Sequence, residues 1–233
     1  MIFVGTGTQK LLFKREFLLI KYSWLRKLKS LKMKMVKIEK WFVNSEKHAR
    51  SNIKILEHLL NYIELGSISR VLEIGCGTGS LSAYLVNKHD LSLVGTDVDP
   101  EQIEQAIKSH GSGEKLRFSN ADATSLPFGN TEFDMILSFK VLHHIRSWQS
   151  VLGEINRVIK PNGFCIVDDI SFSNFTSRVL KGITKNLRVC TVEDIARYFQ
   201  LKHFEMVHKE SPKGVLIKHY SMVFQKQNAR QYS

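Results

Sequence analysis

Apolar positions follow two rhythms along this chain. From about residue 41 onward, short unbroken runs of Val, Leu, Ile and Phe alternate with stretches in which apolar residues return every three or four positions. The first rhythm fits buried strands and the second amphipathic helices. Ile53, Leu56, Leu59, Leu60 and Ile63 form the first helical stripe. Asn44-Ser45-Glu46 supplies its start, and Gly66 stands where a C-terminal cap is expected. Strands follow at 71–75, 91–96, 116–120, 133–139 and 164–167, with helices at 80–88 and 147–159. Asp99-Pro100-Glu101 opens a further helix that runs to Lys108. Strand–helix alternation of this kind predicts a mostly parallel sheet covered on both faces. The tail reads differently. A helix at 191–199 precedes two strand-like runs, 204–208 and 215–225, joined by Ser211-Pro212-Lys213-Gly214. Two late strands so close together predict an antiparallel hairpin at one sheet edge.

Charge divides the chain in two. The 233 residues carry a formal net charge of +12, yet residues 1–40 hold eleven Lys/Arg against two Glu. The body therefore carries little of the excess, and nucleic acid is not an expected partner of it. We read residues 1–40 as a basic N-terminal extension and 41–233 as one domain. Within 9–38, Leu11, Leu18, Leu25 and Leu28 share a helical face while Lys14, Lys21 and Lys29 lie elsewhere. Such a segment suits weak contact with a membrane surface or a polyanion. It equally suits a loosely attached extension, or residues upstream of a natural start at Met33 or Met35. Cys76, Cys165 and Cys190 are far apart and show neither metal-ligand nor redox spacing, so no metal is expected. Free thiols, no apolar run of about 18 residues and no signal peptide predict a cytoplasmic protein.

The chemistry gathers at one strand–turn–helix junction. Val71-Leu72-Glu73-Ile74 runs into Gly75-Cys76-Gly77-Thr78-Gly79, and Ser80 opens the next helix. Glycines at alternate positions let a ligand approach the main chain and its exposed N–H groups. The turn departs from a dinucleotide fingerprint: its sixth position is Ser80, and the acidic Glu73 precedes the first glycine. No Gly-Lys-Ser/Thr ending is present, which excludes a P-loop. Asp97 ends the second strand, 22 residues after Gly75. A carboxylate there accepts from both hydroxyls of a ribose and repels a 2′-phosphate. Asp122 and Ala123 follow the third strand, where a side-chain acceptor and a backbone donor would read an adenine edge.

Taken together, 73–79, Asp97, 122–128, 133–145 and 154–163 resemble class I S-adenosylmethionine-dependent methyltransferases. Within them the closest similarity is to the small-molecule, type 11 group that includes quinone methyltransferases. The resemblance covers roughly residues 41–225. It implies a Rossmann-like α/β fold with a seven-stranded sheet, order 3-2-1-4-5-7-6, the seventh strand antiparallel, and helices on both faces. It also implies S-adenosylmethionine as cofactor. Glu73, Gly75, Gly77 and Gly79 would hold its methionine portion and Asp97 its ribose. Val98 would pack on adenine, with Asp122 and Ala123 at the adenine edge and the Ser138 backbone at the methionine end. Cys76 would be a small filler of the turn. Asn162 stands where the family commonly has glycine, and Asn tolerates the left-handed turn this implies.

Methyl transfer to a nucleophile is an in-line displacement, so alignment matters most, and a base is needed only when the acceptor must lose a proton. The candidate bases are His143 and His144 after the fourth strand and Asp168 and Asp169 after the fifth. Trp41 and Phe42 would cover the pocket or anchor the first helix. Ser138-Phe139-Lys140-Val141 lacks the Asn/Asp-Pro-Pro-aromatic run of nucleic-acid amino-methylating enzymes. The expected acceptor is therefore a small aromatic or lipidic molecule. The alternatives are RNA or protein methylation aided by the basic N-terminus, and a non-catalytic cofactor-binding regulatory module.

Overall fold

The computed structural model describes residues 45–172, 190–210 and 217–228. The expectations for 9–38, Trp41, Phe42 and the 211–214 turn lie outside these residues. The chain divides into two units, Met1–His48 and Ala49–Ser233, and the second carries the sheet. In chain order the elements are α1 (Glu46–Leu60), β1 (Arg70–Ile74), α2 (Ser80–Lys88), β2 (Ser92–Asp97), α3 (Pro100–His110), β3 (Leu116–Asn120) and β4 (Phe133–Phe139). There follow α4 (Trp148–Val158), β5 (Ile159–Phe172), α5 (Val192–Leu201), β6 (Phe204–Lys209) and β7 (Ile217–Lys226). The seven strands form one sheet in the order β3-β2-β1-β4-β5-β7-β6. The first five are parallel, and β7 runs antiparallel to both β5 and β6.

Strand alternation divides the core between the two faces. Leu72, Ile74, Ile136, Cys165 and Val167 meet Val151, Leu152 and Ile155 of α4 and Ile195 and Phe199 of α5. Val71, Leu93, Met135, Leu137 and Ile166 point the other way, onto Leu56 and Leu59 of α1 and Leu81 and Leu85 of α2. A third cluster joins Ile103 and Ala106 of α3 to Phe118 and Cys76. Each fully buried Leu or Ile in these layers contributes about 1.5–3 kcal/mol.

The local start signals act as their chemistry requires. Asp99 accepts the Glu101 N–H at 3.1 Å, with Pro100 in the first turn of α3. Thr191 and Asp194 form a reciprocal capping box on α5. Two sequence expectations need correction. Gly66 does not cap α1: the helix ends at Leu60, Ile63 lies beyond it, and Gly66 belongs to a short 3-10 turn, Leu65–Ser67. The strand expected at 164–167 is the middle of a 14-residue strand, because β7 pairs with it as far as Phe172. Among the described residues no helix is long and apolar enough to cross a membrane.

Candidate functional site

The carboxyl ends of β1, β2 and β4 bring the glycine turn, Asp97 and Ser138 to one end of the sheet. Gly75, Gly77 and Gly79 all take left-handed φ values, +71°, +53° and +77°. Their surroundings differ. A β-carbon on Gly75 would lie 2.3 Å from Val141 Cγ2, and one on Gly79 would lie 2.5 Å from Phe118 Cζ. One on Gly77 would meet only Gln102 Oε1, at 3.9 Å. The turn is thus packed at both shoulders and open at its middle. Cys76 is buried beneath it, its N–H bonded to Thr96 O at 2.9 Å, and burial pushes its thiol well above the ordinary range. A thiol kept protonated is a poor nucleophile.

Asp97 locks this turn to the end of β2. Its Oδ2 accepts the Gly77 N–H at 3.0 Å and its Oδ1 accepts the Asp99 N–H at 2.9 Å. A carboxylate has about four lone-pair sites, so one side chain here can accept from several donors at once. Next to it Val98 is 67% exposed, an apolar side chain held at the rim. Asp122 uses Oδ1 to accept from both the N–H and the hydroxyl of Thr124, each at 2.8 Å, which shapes the turn carrying the buried Ala123.

Glu73 is the buried charge of the site. It is 3% exposed, and its carboxylate accepts from the Ser82 hydroxyl on α2. Burial raises its pKa from the ordinary 4.5 to about 7, with Asp97 adding to the rise and the Ser82 bond opposing it. A carboxyl whose folded pKa lies above its unfolded value stabilises the fold fully below the unfolded value. That contribution is lost as pH rises toward the folded one. The free protein should therefore lose about 3 kcal/mol of stability between pH 4.5 and 7 from this group alone. Glu73→Gln should flatten that slope in urea unfolding series across the interval. An unchanged slope would show that Glu73 is ionised throughout.

The turn at 122–130 is held from behind by α4. Arg157 donates to Leu126 O at 3.0 Å, Phe128 O at 2.7 Å and Asn130 Oδ1 at 3.1 Å. Glu154 accepts the Leu126 N–H at 2.7 Å and pairs with Arg157 on the same helix. The 154–163 stretch thus supplies a clamp for the segment carrying Asp122 and Ala123. Asn162, at its far end, takes a left-handed φ of +63°.

Asp168 and Asp169 lie within β5, not after it as expected, because β7 pairs with the strand as far as Phe172. Beside the end of β4 they form two histidine–aspartate pairs on opposite sheet faces, since consecutive strand residues point to opposite sides. Both carboxylates are fully buried. Asp169 Oδ1 pairs with His143 Nδ1, and Asp169 also accepts from the N–H groups of Leu142 (2.7 Å) and Ile170 (2.7 Å). The His144 ring lies 3.8 Å from that of His143. Asp168 pairs with Lys140, accepts the Ser221 hydroxyl at 2.7 Å and meets His219 Nε2 at 2.9 Å. Burial pushes the Asp168 pKa up, but His219 and Lys140 more than offset it and hold it low. Lys140 takes φ +60°, left-handed for a side chain with a β-carbon, directly after β4. Ser138 is buried, and its hydroxyl has no hydrogen-bond partner.

The sequence reading missed His219, Lys140, Ser82, Glu154 and Arg157. Glu154 and Arg157 lie inside the 154–163 stretch that carries the resemblance, without an assigned role, and His219 lies inside the 215–225 strand-like run.

Residues 72–167 match the family described as Methyltransferase domain. The chain is 27% identical over 157 residues to methyltransferase GfsG of Streptomyces halstedii, covering 64% of this chain and 56% of the relative. It is 30% identical over 131 residues to the phthiotriol/phenolphthiotriol dimycocerosates methyltransferase of Mycobacterium leprae, covering 56% and 48%. The fold is similar to that of PH0226 protein from Pyrococcus horikoshii OT3, with a TM-score of 0.63, 23% identity and coverage of 79% and 93%. Residues 72–167 and the sheet order are thus similar to those of class I S-adenosylmethionine-dependent methyltransferases. The chain spans about half the length of the curated relatives it matches.

Proposed function

We propose that this chain transfers a methyl group from S-adenosylmethionine to a small aromatic or lipidic acceptor whose reacting oxygen or carbon must lose a proton. The observation that carries the cofactor reading is the bond from Gly77 N–H to Asp97. It makes the backbone cradle and the ribose-type carboxylate one rigid unit. The other residues fit the same ligand: open space at Gly77, an exposed Val98 beside Asp97, and a buried Ser138 hydroxyl without a partner. Gly75, Gly77, Gly79 and Glu73 would hold the methionine end, Asp97 the ribose, and Val98, Asp122 and Ala123 the adenine. When bound, the sulfonium supplies an electrophilic methyl group.

The chain's own residues then have two tasks. The first is alignment, which in favourable cases lowers a barrier by roughly 7–11 kcal/mol. The second is removal of the acceptor proton. Asp168 and Asp169 are occupied by several donors each, so neither is the base in this reading. His143 is: with Nδ1–H given to Asp169, its Nε2 keeps a lone pair that can take a proton. The lipidic side of the acceptor class draws on the M. leprae relative, which by its name acts on phthiotriol and phenolphthiotriol dimycocerosates.

Calorimetric titration tests the cofactor reading. S-adenosylmethionine and its demethylated product should both bind, and Asp97→Ala should weaken them about 10- to 100-fold, the worth of lost charge-assisted hydrogen bonds. Binding of NAD instead, or unchanged affinity in Asp97→Ala, rejects it. A metabolite extract incubated with isotopically labelled methyl donor would identify the acceptor.

A further inference from the structure

We infer that His58, His208 and Glu210 form a site for a divalent transition metal of the zinc type, joining the end of α1 to the end of edge strand β6. His208 and Glu210 lie two positions apart at the end of β6, His58 lies far away in the chain, and one ligand atom of each lies within 4.8 Å of the other two. His58 Nε2 already meets Glu210 Oε1 at 3.1 Å. His208 Nε2 is buried and has no hydrogen-bond partner. A buried imidazole nitrogen without a partner is costly, and a metal ion aimed at by two neighbouring donors satisfies it.

The surroundings favour a cation in three further ways. His58 sits in the last turn of α1, where the helix carries partial negative charge. Tyr62 stacks on the His208 ring at 3.6 Å and meets His58 edge-on at 5.6 Å, so one side chain orients both imidazoles. Two neutral imidazoles and one carboxylate also form a donor set that zinc accepts, leaving a fourth position for water. Tetrahedral zinc needs its ligand atoms about 3.3 Å apart, from bonds of about 2.0–2.1 Å. The half-exposed side chains of His58 and Glu210 have room to close the remaining gap by rotation. Spacing could not reveal this set, because 150 positions separate the two histidines. It owes nothing to the methyl-transfer reading.

Cobalt(II) is the direct probe, since tetrahedral nitrogen–oxygen ligation gives it a visible absorption band. The chelator-stripped full chain should develop that band with one equivalent of Co2+ and lose it when Zn2+ is added. His58→Ala and His208→Ala should each weaken binding at least tenfold while circular dichroism stays unchanged, and Glu210→Gln should weaken it less. No band at one equivalent, or a band that survives His208→Ala, overturns the inference. So does a band removed by His143→Ala and retained in His208→Ala, which would place the ion at the other histidine pair.

Discussion

Gly79→Ala is expected to destabilise the protein by about 2–5 kcal/mol, and Gly77→Ala, two positions earlier, by only about 1–2. Both glycines take left-handed φ values, +77° and +53°, so both pay the strain of a β-carbon in that region, about 1–2 kcal/mol. The space around them separates the two. A methyl on Gly79 would stand 2.5 Å from Phe118 Cζ, 2.6 Å from Phe118 Cε1 and 3.1 Å from Ala106 Cβ. Phe118 and Ala106 are themselves buried in the cluster under α3, so the ring has little room to withdraw. Overpacking of this kind adds about 1–3 kcal/mol. A methyl on Gly77 meets nothing nearer than Gln102 Oε1 at 3.9 Å. Urea unfolding of the two variants beside the parent measures the difference. Equal costs would show that the turn shifts as a body and that the Phe118 contact sets nothing. Ligand affinity should rank the other way relative to stability. The open middle of the turn is where a cofactor would approach, so Gly77→Ala should lose binding out of proportion to its small structural cost.

The glycine turn could be anticipated because its information is local. Three glycines between an apolar run and a helical stripe have one economical reading, and β3 and β4 occupy the positions expected for them, 116–120 and 133–139. Strand β5 could not be read so completely. Its pattern breaks at Asp168-Asp169, where a period-based reading stops, yet both aspartates are buried inside the strand. What allows their burial comes from elsewhere: Lys140 and His143 after β4, and Ser221 and His219 on β7, up to 53 positions away. Helix α1 shows the opposite error. Its apolar spacing continues to Ile63 and suggested a longer helix, but the chain turns after Leu60 and Ile63 enters the core from outside the helix. The clamp of Glu154 and Arg157 was visible in the sequence only as part of the 154–163 stretch, with no role attached. That its targets are the main-chain groups of Leu126 and Phe128 depends on how α4 packs, which no local pattern records.

The two aspartates also decide which histidine should matter for catalysis. His143→Ala is expected to lower kcat about 10²- to 10⁴-fold on an acceptor that must lose a proton, the usual worth of a positioned base. Asp169→Asn should also lower kcat, because an asparagine no longer holds the ring by its Nδ1–H with a charge. On the proposed assignment Asp169 acts through His143, so its loss should appear in kcat and in the pH profile more than in KM. Asp169 also accepts the Leu142 and Ile170 N–H groups, so the Asn variant must first be shown to fold by its unfolding midpoint. His219→Ala separates the two pairs. Its partner Asp168 keeps Lys140 and Ser221 as donors, so the carboxylate remains satisfied and kcat should change little. Rates measured against pH with labelled methyl donor, once the acceptor is in hand, distinguish the cases. If His219→Ala rather than His143→Ala abolishes the acid limb of the profile, the base lies on the α1 side of the sheet and the assignment to His143 fails. If neither does, the acceptor reaches the site already deprotonated or reacts through a neutral lone pair, and alignment alone carries the reaction.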